Sequence, residues 1–449
     1  MLGRKSALWF ASAITVLAIA VPAADGATRE RPCNGAVELC GRTLDQVVLP
    51  GAHNAMSNEE YDWNIPNQHY SIPTQLDMGV RAFLIDTHYG KVSDDGKTVV
   101  KVPEAEGHST GATMYLCHEY CQLGASELIP ELAKIKDFLA ANPREVLVFV
   151  NEDYIDPQDF ASAVTQSGLI DYIYTGSTDH YPTLSEMIAS NQRVVMLAES
   201  DSGTVPWYHK AYDGSMQETR YDYRYGGVTT QQAMTRLTDP AQLDASCAPN
   251  RGGTTGPLFL MNHWVNGKFD NGDPVTPDPA VADVLNTKDV LVARARACEQ
   301  VRGKLPNIVA VDDFGNGDLL GAVNELNGVT PKAFFEVAKP RGAVVRAGRK
   351  AIFRVKVSNY GNVDAATKVC ATLPARLAFR SRCATLSVAR GGGATAKITV
   401  STRRRARGLG VARFKVSGSG DTVSATAKLR VKPMPKKKPK RRPARHKKH

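Results

Sequence analysis

Hydrophobic and polar positions follow one pattern up to about residue 330 and another beyond it. In the first part, short apolar runs recur, and a polar cluster and a helix-like stretch follow each of them. Four runs, "LDQVVLPGAHN", "VRAFLIDTH", "TMYLCHE" and "EVLVFVNED", lead at nearly equal intervals to His53, Asp86, His118 and Glu152. A strand, a helix and two turns have the length of one interval, so the pattern predicts the βα units of a parallel sheet.

Three later runs, "LSEMIASNQRVVMLAES", "GPLFLMNHW" and "LPNIVAVDDF", bring the number to seven, and we expect an eighth strand within residues 201–238. Helix candidates lie between the runs, such as the stretch from Glu127 to Asn142. The predicted fold class is therefore α/β, a (β/α)8 TIM-like barrel, with a doubly wound sheet as the alternative. In such a barrel the carboxyl ends of all strands face one rim, where residues distant in sequence meet.

Beyond residue 330, apolar and polar residues alternate, as in "AIFRVKVSN", "AKITVST", "ARFKVSG" and "AKLRVK". Gly-rich segments separate several of these runs. Half-buried strands with such turns over about 100 residues predict an antiparallel, Ig-like β-sandwich for residues 331–432. Residues 433–449 are strongly basic, lack apolar periodicity and are predicted to form a disordered tail.

The amino-terminal segment, residues 1–27, has the layout of a secretory signal peptide. Arg4 and Lys5 precede an apolar run over residues 7–21, and small residues follow it. The run is shorter than the roughly 20 apolar residues of a membrane-spanning helix, although a retained anchor is the alternative. We therefore expect a secreted protein, extracellular or associated with the cell surface, whose barrel domain occupies residues 28–330.

Export places the eight cysteines in an oxidising environment, where an even number predicts four disulfides. Connectivity does not follow from sequence alone, but proximity along the chain suggests four pairs. These are Cys33 with Cys40, Cys117 with Cys121, Cys247 with Cys298, and Cys370 with Cys383. The spacing in "CHEYC" matches no common zinc module, so a zinc site is disfavoured there.

Charge divides the chain in the same place as the hydrophobic pattern. Residues 1–330 contain 24 Lys and Arg against 42 Asp and Glu, residues 331–432 contain 23 against 3, and residues 433–449 contain 9 against none. The basic part is expected to bind an anionic membrane or cell-wall surface. The alternatives are a merely solubilising surface and a contact with the acidic barrel. Because the protein is exported, we expect no nucleic-acid partner, and we expect a monomer.

Two His, one Asn and two carboxylates at one rim suit the cleavage of a phosphodiester. One imidazole can remove a proton from an attacking hydroxyl while the other protonates the leaving oxygen, so His53 and His118 are the catalytic candidates. Asn54, Asp86 and Glu152 offer the oxygen ligands that Ca²⁺ prefers and that Mg²⁺ also accepts. A cation at this place would neutralise charge on the phosphate.

Four further residues near strand ends are candidates for the site. Asp312 and Asp313 follow the last apolar run, and one of them is predicted to orient His53, with helix capping as the alternative. Trp264 is a candidate for stacking on a sugar ring of the substrate, and Arg81 is a candidate for contacting the substrate because it lies in one of the family motifs given below. The alternative for Arg81 is that it braces its strand, and the alternative for Trp264 is packing in the barrel rim.

Five segments of the chain carry a resemblance to a known family. In order between Cys33 and Asn327 they are "LPGAHNAMS", "QLDMGVRAFLIDTHYG", "YLCHEYC", "NPREVLVFVNEDY" and "PNIVAVDDFGNGDLLGAVNELN". They resemble the phosphatidylinositol-specific phospholipase C X-domain family in its secreted microbial branch. The resemblance implies a distorted TIM barrel that cleaves a phosphodiester with a His pair. His53 would be the general base for the inositol 2-hydroxyl, and His118 the general acid for the diacylglycerol oxygen.

The resemblance also implies a metal site, with two departures. In calcium-dependent members the ligands match Asn54, Asp86 and Glu152, and a further carboxylate stands where this chain has Leu84. Metal-free bacterial members have an Asp there and an Arg in place of Asp86. The chain fits the calcium-dependent pattern better but lacks one carboxylate, which a group such as Glu199 could supply. The strand "RVVMLAES" lacks the Lys residues that animal members use for phosphorylated headgroups, so we expect no recognition of polyphosphoinositides.

The sequence therefore predicts a secreted phospholipase C-type phosphodiesterase, assisted by Ca²⁺ or Mg²⁺, that cleaves phosphatidylinositol or a related phospholipid through a cyclic phosphate. Within the same enzyme class, the alternative is a glycerophosphodiester phosphodiesterase or a sphingomyelinase D-like barrel, which has more carboxylate ligands. From another class, the alternative is a catalytically silent protein that binds lipid or a cell surface with the same pocket. The sequence leaves the headgroup open.

Overall fold

The acidic part of the chain forms one sheet in the computed structural model, which describes residues 29–221, 229–265, 277–379 and 382–435. The strands of this sheet are β1 (Leu49–Ala52), β2 (Ala82–Val92), β3 (Val99–Val102), β4 (Thr113–Leu116), β5 (Ser126–Glu127), β6 (Leu147–Tyr154), β7 (Val194–Ala198), β8 (Tyr208–Lys210), β9 (Met216–Glu218), β10 (Leu258–Asn262) and β11 (Ile308–Val311). The predicted signal peptide at residues 1–27 and residues 436–449 of the predicted tail lie outside the described residues.

Eight of these strands are parallel neighbours in the order β8-β7-β6-β2-β1-β11-β10-β9. One face of this sheet is lined by a single cluster of buried side chains. The cluster extends across the strands, from Leu197 on β7 to Leu258 on β10. The sheet therefore curls like a half-barrel around an apolar concave face. Its edge strands, β8 and β9, are consecutive in the chain, with residues 211–215 between them. The predicted α/β class and the parallel sheet are confirmed.

The strand assignment of the sequence was wrong at one position. The run "TMYLCHE" forms β4, which pairs antiparallel with β2 and takes no place in the parallel order. The reason is the length of β2, because its 11 residues extend past the pairing with β1 and offer an edge to β3 and β4. The remaining places in the parallel sheet are taken by two short strands, β8 and β9, within residues 201–238.

Helices in the described part of the chain connect the parallel strands and cover the sheet. They are α1 (Ile72–Met78), α2 (Glu104–Thr110), α3 (Leu128–Ala141), α4 (Pro157–Gln166), α5 (Leu184–Ala189), α6 (Thr230–Thr238), α7 (Leu243–Ser246), α8 (Pro279–Leu285), α9 (Lys288–Arg302) and α10 (Leu319–Leu326). The predicted helix from Glu127 to Asn142 is confirmed as α3, with those two residues as its caps. Its side chains Leu132 and Leu139 share a helix face and pack in the same core cluster as Phe149 of β6.

The alternating pattern beyond residue 330 corresponds to two further sheets. Their strands are β12 (Phe335–Val337), β13 (Ala343–Arg346), β14 (Lys350–Asn359), β15 (Ala365–Thr372), β16 (Arg382–Val388), β17 (Gly393–Ser401), β18 (Gly408–Gly418) and β19 (Asp421–Lys432). One sheet has the order β12-β14-β17 and the other β13-β19-β18-β15-β16, and all pairs are antiparallel except β13 with β19. Phe353 and Phe414, one from each sheet, lie 5.2 Å apart between ring centroids in a shared core.

All four predicted disulfides are confirmed: Cys33–Cys40, Cys117–Cys121, Cys247–Cys298 and Cys370–Cys383. The second closes the loop that carries His118, and the fourth joins the neighbouring strands β15 and β16. Within the described ranges, every helix is too short or too polar to cross a membrane.

Candidate functional site

His53 and Asn54 follow β1, a central strand of the curled sheet. Gly51 allows β1 to lie close to β11, because a Cβ at this position would be 2.9 Å from Ile308 Cγ2. The backbone N–H of His53 continues the pairing with β11 by donating to Val311 O at 3.0 Å. Asn54 then leaves the strand with a φ of 44°, in the left-handed region that Asn tolerates better than most residues. The "PGAHN" segment therefore fixes both side chains at the rim.

The His53 imidazole is held on two sides. Its Nδ1 lies 2.8 Å from Asp312 Oδ1, and the Asn67 side chain donates to the same oxygen at 3.0 Å. The Trp264 ring stacks flat on the imidazole, with ring centroids 3.7 Å apart and an interplanar angle of 7°. If Nδ1–H donates to the carboxylate, Nε2 is the nitrogen that can accept a proton. This arrangement suits a general base with a fixed orientation.

Asp313 takes a different direction from Asp312. Its φ is 43°, and its backbone N–H donates to Asn67 O at 2.8 Å. Its carboxylate lies 3.8 Å from His69 Nε2. Burial raises the pKa of Asp313 to about 7, and the charge of Asp312 also raises it. Of the two predicted partners of His53, the structure therefore brings Asp312 to the ring and leaves Asp313 beside His69.

His118 reaches the same rim from the antiparallel strand β4. The preceding residue, Cys117, donates its N–H to Asp86 O at 3.4 Å, so the end of β4 lies beside the carboxylate positions of β2. Burial, together with a smaller contribution from His53, lowers the pKa of His118 to about 4. The imidazole of His118 is therefore neutral near pH 7 in the free protein.

Asn54, Asp86 and Glu152 come from three adjacent strands of the curled sheet. Asp86 and Glu152 are direct neighbours in the register of β2 and β6. The segment of Asn54 is fixed against β2, because the Ala55 N–H donates to Leu84 O at 2.8 Å. All three side chains line the same cavity, so the structure brings together the three residues that the sequence predicted as metal ligands.

The electrostatics at Asp86 suit a bound cation. Asp86 is only 3% exposed, and burial raises its pKa well above the ordinary value, with further repulsion from the carboxylates of Glu152 and Glu199. A cation would remove this repulsion, and amide and carboxylate oxygens are suitable ligands for Ca²⁺ or Mg²⁺. The donor set therefore fits a divalent cation, and the apolar Leu84 also lines the cavity wall.

One positively charged side chain at the rim, that of Arg251, was not predicted from the sequence. Arg251 lies between two carboxylates, with its Nε 2.7 Å from Glu218 Oε1 and its Nη1 paired with Glu199. Glu199 therefore compensates an arginine and is not a free fourth ligand. Burial nevertheless raises the pKa of Glu199 to about 7. No periodic pattern marks Arg251, because it belongs to the loop between α7 and β10.

Arg81 lies away from the two imidazoles. Its Nε donates to Glu145 Oε2 at 2.7 Å, and its Nη1 donates to the carbonyls of Leu76 and Val80, both at 2.7 Å. It lines a cleft other than the one that contains His53. The physical reason is strand direction, because Arg81 precedes β2 and stands at the amino end of the parallel sheet. Its predicted contact with substrate is therefore not supported, and it braces the connection between α1 and β2.

A cavity of about 300 Å³ connects the groups at the rim. His53 and His118 both line it, and Trp264 forms the wall beside His53. The side-chain oxygens Asn67 Oδ1 and Asn262 Oδ1 belong to lining residues and are buried without a hydrogen-bond partner among the described residues. Such an atom is costly to bury unless a ligand or water donates to it. Both oxygens have almost no exposed surface, so they are unsatisfied polar atoms behind the cavity wall and not contacts that the open cavity offers to a ligand.

Three curated relatives resemble this chain. An "Uncharacterized secreted protein" of Arthroderma benhamiae is 28% identical over 323 residues, which cover 68% of this chain and 65% of the relative. The PI-PLC X domain-containing protein 1 of the same fungus is 26% identical over 339 residues, which cover 72% of this chain and 97% of that relative. A PI-PLC X domain-containing protein of Arabidopsis thaliana is 22% identical over 290 residues, which cover 59% of this chain and 57% of that relative. The chain thus spans just under two thirds of the first relative.

A family model gives the same assignment. The model described as PI-PLC X matches residues 85–327, which include Asp86, His118 and Glu152. His53 and Asn54 precede the matched region, and β1 brings them to the site. Because the match covers more than half of the chain, this protein belongs to the PI-PLC X domain family.

Proposed function

We propose that this protein is a secreted phospholipase C-type phosphodiesterase that cleaves the glycerophosphodiester bond of phosphatidylinositol or a related phospholipid. One observation carries the proposal: His53 and His118 line a single cavity, and Asp312 holds His53 as a base requires. Family membership supports the reaction class.

In the proposed reaction, the headgroup hydroxyl next to the phosphodiester attacks phosphorus. His53 Nε2 takes the proton of this hydroxyl, and the Asp312 carboxylate stabilises the imidazolium that forms. The flat contact with Trp264 keeps the ring in this orientation. The bond between phosphorus and the glycerol oxygen breaks, which leaves a cyclic phosphate that water opens in a slower step.

His118 is proposed to protonate the glycerol oxygen as it leaves. In the free cavity this imidazole is neutral, because its pKa is about 4. A bound phosphodiester places a negative charge beside the ring, and an opposite charge favours the protonated form. Substrate binding would therefore raise the pKa of His118, so that the ring becomes protonated and can donate this proton to the glycerol oxygen.

Asn54, Asp86 and Glu152 are proposed to hold Ca²⁺, with Mg²⁺ as the second candidate. When bound, such a cation supplies positive charge at the phosphoryl oxygen. The support for this proposal is the charge of the cavity wall. Among the described lining residues, Arg251 is the one Lys or Arg, and two glutamates already compensate its charge.

Secretion and the finer architecture are also proposals. The relative named as a secreted protein and the four disulfides support an extracellular location. The consecutive edge strands β8 and β9 support a distorted TIM-like barrel. Two sheets around one core support an Ig-like sandwich. However, Cys370–Cys383 joins strands of one sheet, whereas the antibody-domain disulfide joins two sheets.

The experiment that tests the proposed function measures phospholipid cleavage by the purified protein. Phosphatidylinositol and other phospholipids are supplied in turn, with Ca²⁺ or with a chelator, and cyclic inositol phosphate is the product measured. His53→Ala and His118→Ala should each lower turnover at least a hundredfold, because a positioned acid or base contributes about 10²–10⁴.

The matched control is His180→Ala, since His180 is exposed and does not line the cavity. We expect it to retain full turnover. If neither substitution in the cavity changed turnover, the proposed roles would be wrong. If the wild-type protein bound phosphatidylinositol without cleaving it under any metal condition, a silent lipid-binding function would replace the proposal.

A further inference from the structure

The outward side of the five-stranded C-terminal sheet carries positive charge. We call this side of β13-β19-β18-β15-β16 the basic face, and define it by the exposed residues Lys368, Arg413, Lys415, Lys428 and Arg430. The residues that alternate with them along β15, β18 and β19 are buried in the core. All five side chains therefore point to one side of the sheet, away from the core.

Acidic residues do not compensate the basic face. Residues 331–432 contain three of them, and each has contacts elsewhere. Glu336 pairs with Arg31 at 2.6 Å, Asp364 accepts a backbone N–H at 2.9 Å, and Asp421 accepts the N–H of Phe335 at 2.6 Å. The surface therefore attracts an anionic partner.

Three exposed apolar side chains lie among these cations. Val344, Leu409 and Val411 are 61%, 54% and 42% exposed. In the strand register, Val344 and Leu409 flank Arg430, and Val411 is opposite Lys428. At a lipid surface, apolar side chains can enter the interface while neighbouring cations contact phosphate groups. A soluble polyanion would leave the same apolar side chains in water, so the combination favours a membrane.

We propose that the basic face is a docking surface for an anionic phospholipid membrane. None of its five cations is directly opposite another, since Arg413 faces Thr426 and Lys415 faces Ser424. Next to them, the exposed Arg346 and Lys432 are directly opposite each other on the same side, so positive charge also accumulates at the end of the face. Beyond the end of β19 at Lys432, the segment 433–449 contains nine Lys and Arg, which adds charge to the same part of the chain. This docking does not depend on hydrolysis in the cavity.

The test is co-sedimentation of the full chain with vesicles of phosphatidylcholine, with and without phosphatidylglycerol. The first variant neutralises four cations of the basic face: Arg413→Gln, Lys415→Gln, Lys428→Gln and Arg430→Gln. The matched control neutralises four exposed cations on the three-stranded sheet: Lys350→Gln, Arg354→Gln, Lys356→Gln and Lys397→Gln. One Lys or Arg near an anionic leaflet changes partitioning about fivefold. We expect a loss of at least tenfold in the first variant and less than threefold in the control.

A second variant separates a membrane from a soluble polyanion. Val344→Ser, Leu409→Ser and Val411→Ser together should lower vesicle binding at least threefold and leave retention on immobilised polyphosphate unchanged. Thermal unfolding checks that each variant is folded. If a multiple variant unfolds, single Arg430→Gln and Leu409→Ser variants replace it, each with an expected two- to fivefold loss of vesicle binding.

Three results would overturn the proposal. The first is an equal loss in the two four-residue variants, because the charge would then act without a defined face. The second is full vesicle binding by the apolar variant, which would favour a soluble or wall polyanion. The third is complete loss of binding on deletion of residues 433–449 with no effect of the face variants, which would assign adhesion to the tail.

Discussion

The cavity of the curled sheet and the basic face of the C-terminal sheet hold ionisable side chains on or next to strands, but in opposite environments. In the cavity, Asp86 is buried and His118 is half-buried, and burial shifts the pKa of each in the direction that favours its neutral form. On the basic face, Lys415 and Arg430 are exposed, so their charges remain hydrated. β-Strands position charge in both regions, since Asp86 lies on β2 and Lys415 and Arg430 lie on β18 and β19.

This difference shows that burial decides what a charged group can do. A pKa shift of one unit corresponds to about 1.4 kcal/mol between two protonation states. One half-buried imidazole can therefore control a proton transfer. An exposed ion pair contributes about 0–1 kcal/mol, so a surface needs many charges to hold a partner. We infer a division between a few buried groups for chemistry and many exposed groups for adhesion.

The largest effect is expected from the loss of a proposed metal ligand. Asp86→Asn should lower turnover about a thousandfold, because positive charge at a phosphoryl oxygen is worth several kcal/mol. A chelator should lower wild-type turnover similarly, and added Ca²⁺ should restore the wild type but not the variant. Release of cyclic phosphate is the measurement. Asp137→Asn, at a side chain that is 73% exposed, is the control with unchanged turnover. Wild-type turnover that resists the chelator would contradict this ligand set.

The next effect concerns the protonation of His118. Because burial lowers its pKa from 6.5 to about 4, NMR titration of the chelator-treated protein should show a neutral imidazole at pH 6. Between these values the unfolded chain binds a proton that the folded cavity excludes, so the contribution of His118 to the free energy of unfolding falls as pH falls. Added inositol phosphate should raise this pKa by at least one unit. An imidazole that titrates near 6.5 in the free protein would show that the cavity is open to water.

A smaller effect is expected from the residue that orients the base. Asp312→Asn should lower turnover about 10–100-fold, as expected for a group that fixes the tautomer of a functional His. The variant should also change the pH profile of turnover, which a purely structural role would not do. Asp313→Asn is the matched control, because its carboxylate lies beside His69 and not His53. Equal effects of the two substitutions would remove the orienting role of Asp312.

Much of the parallel sheet and of the site could be predicted from local pattern. Apolar runs that end in polar residues indicate parallel strands, and parallel strands collect their carboxyl ends at one edge. This reasoning is sufficient to bring His53, Asn54, Asp86 and Glu152 together. The place of Arg81 could also have been predicted, since it precedes its apolar run and must stand at the opposite edge.

Other features depend on contacts between distant segments and have no local signal. The regular spacing of His118 suggested a parallel strand, but the preceding segment pairs antiparallel with the extended part of β2. Asn67 and Arg251 stand in loops, and only the folded chain brings them to Asp312 and Glu218. The contact that each of these two residues makes depends on the tertiary structure and not on the periodicity of the sequence.

The smallest expected effect is that of salt on turnover, and it separates the two regions directly. The screening length falls from about 10 Å at 0.1 M salt to about 3 Å at 1 M, and exposed charges are screened far more than buried ones. Over this range, vesicle binding should fall about tenfold, while cleavage of a monomeric short-chain phospholipid should change less than twofold. Both are measured on one preparation, by co-sedimentation and by release of cyclic phosphate. An equal decrease in both would mean that the cavity groups are as open to solvent as Lys415 and Arg430, and the contrast between the two regions would not hold.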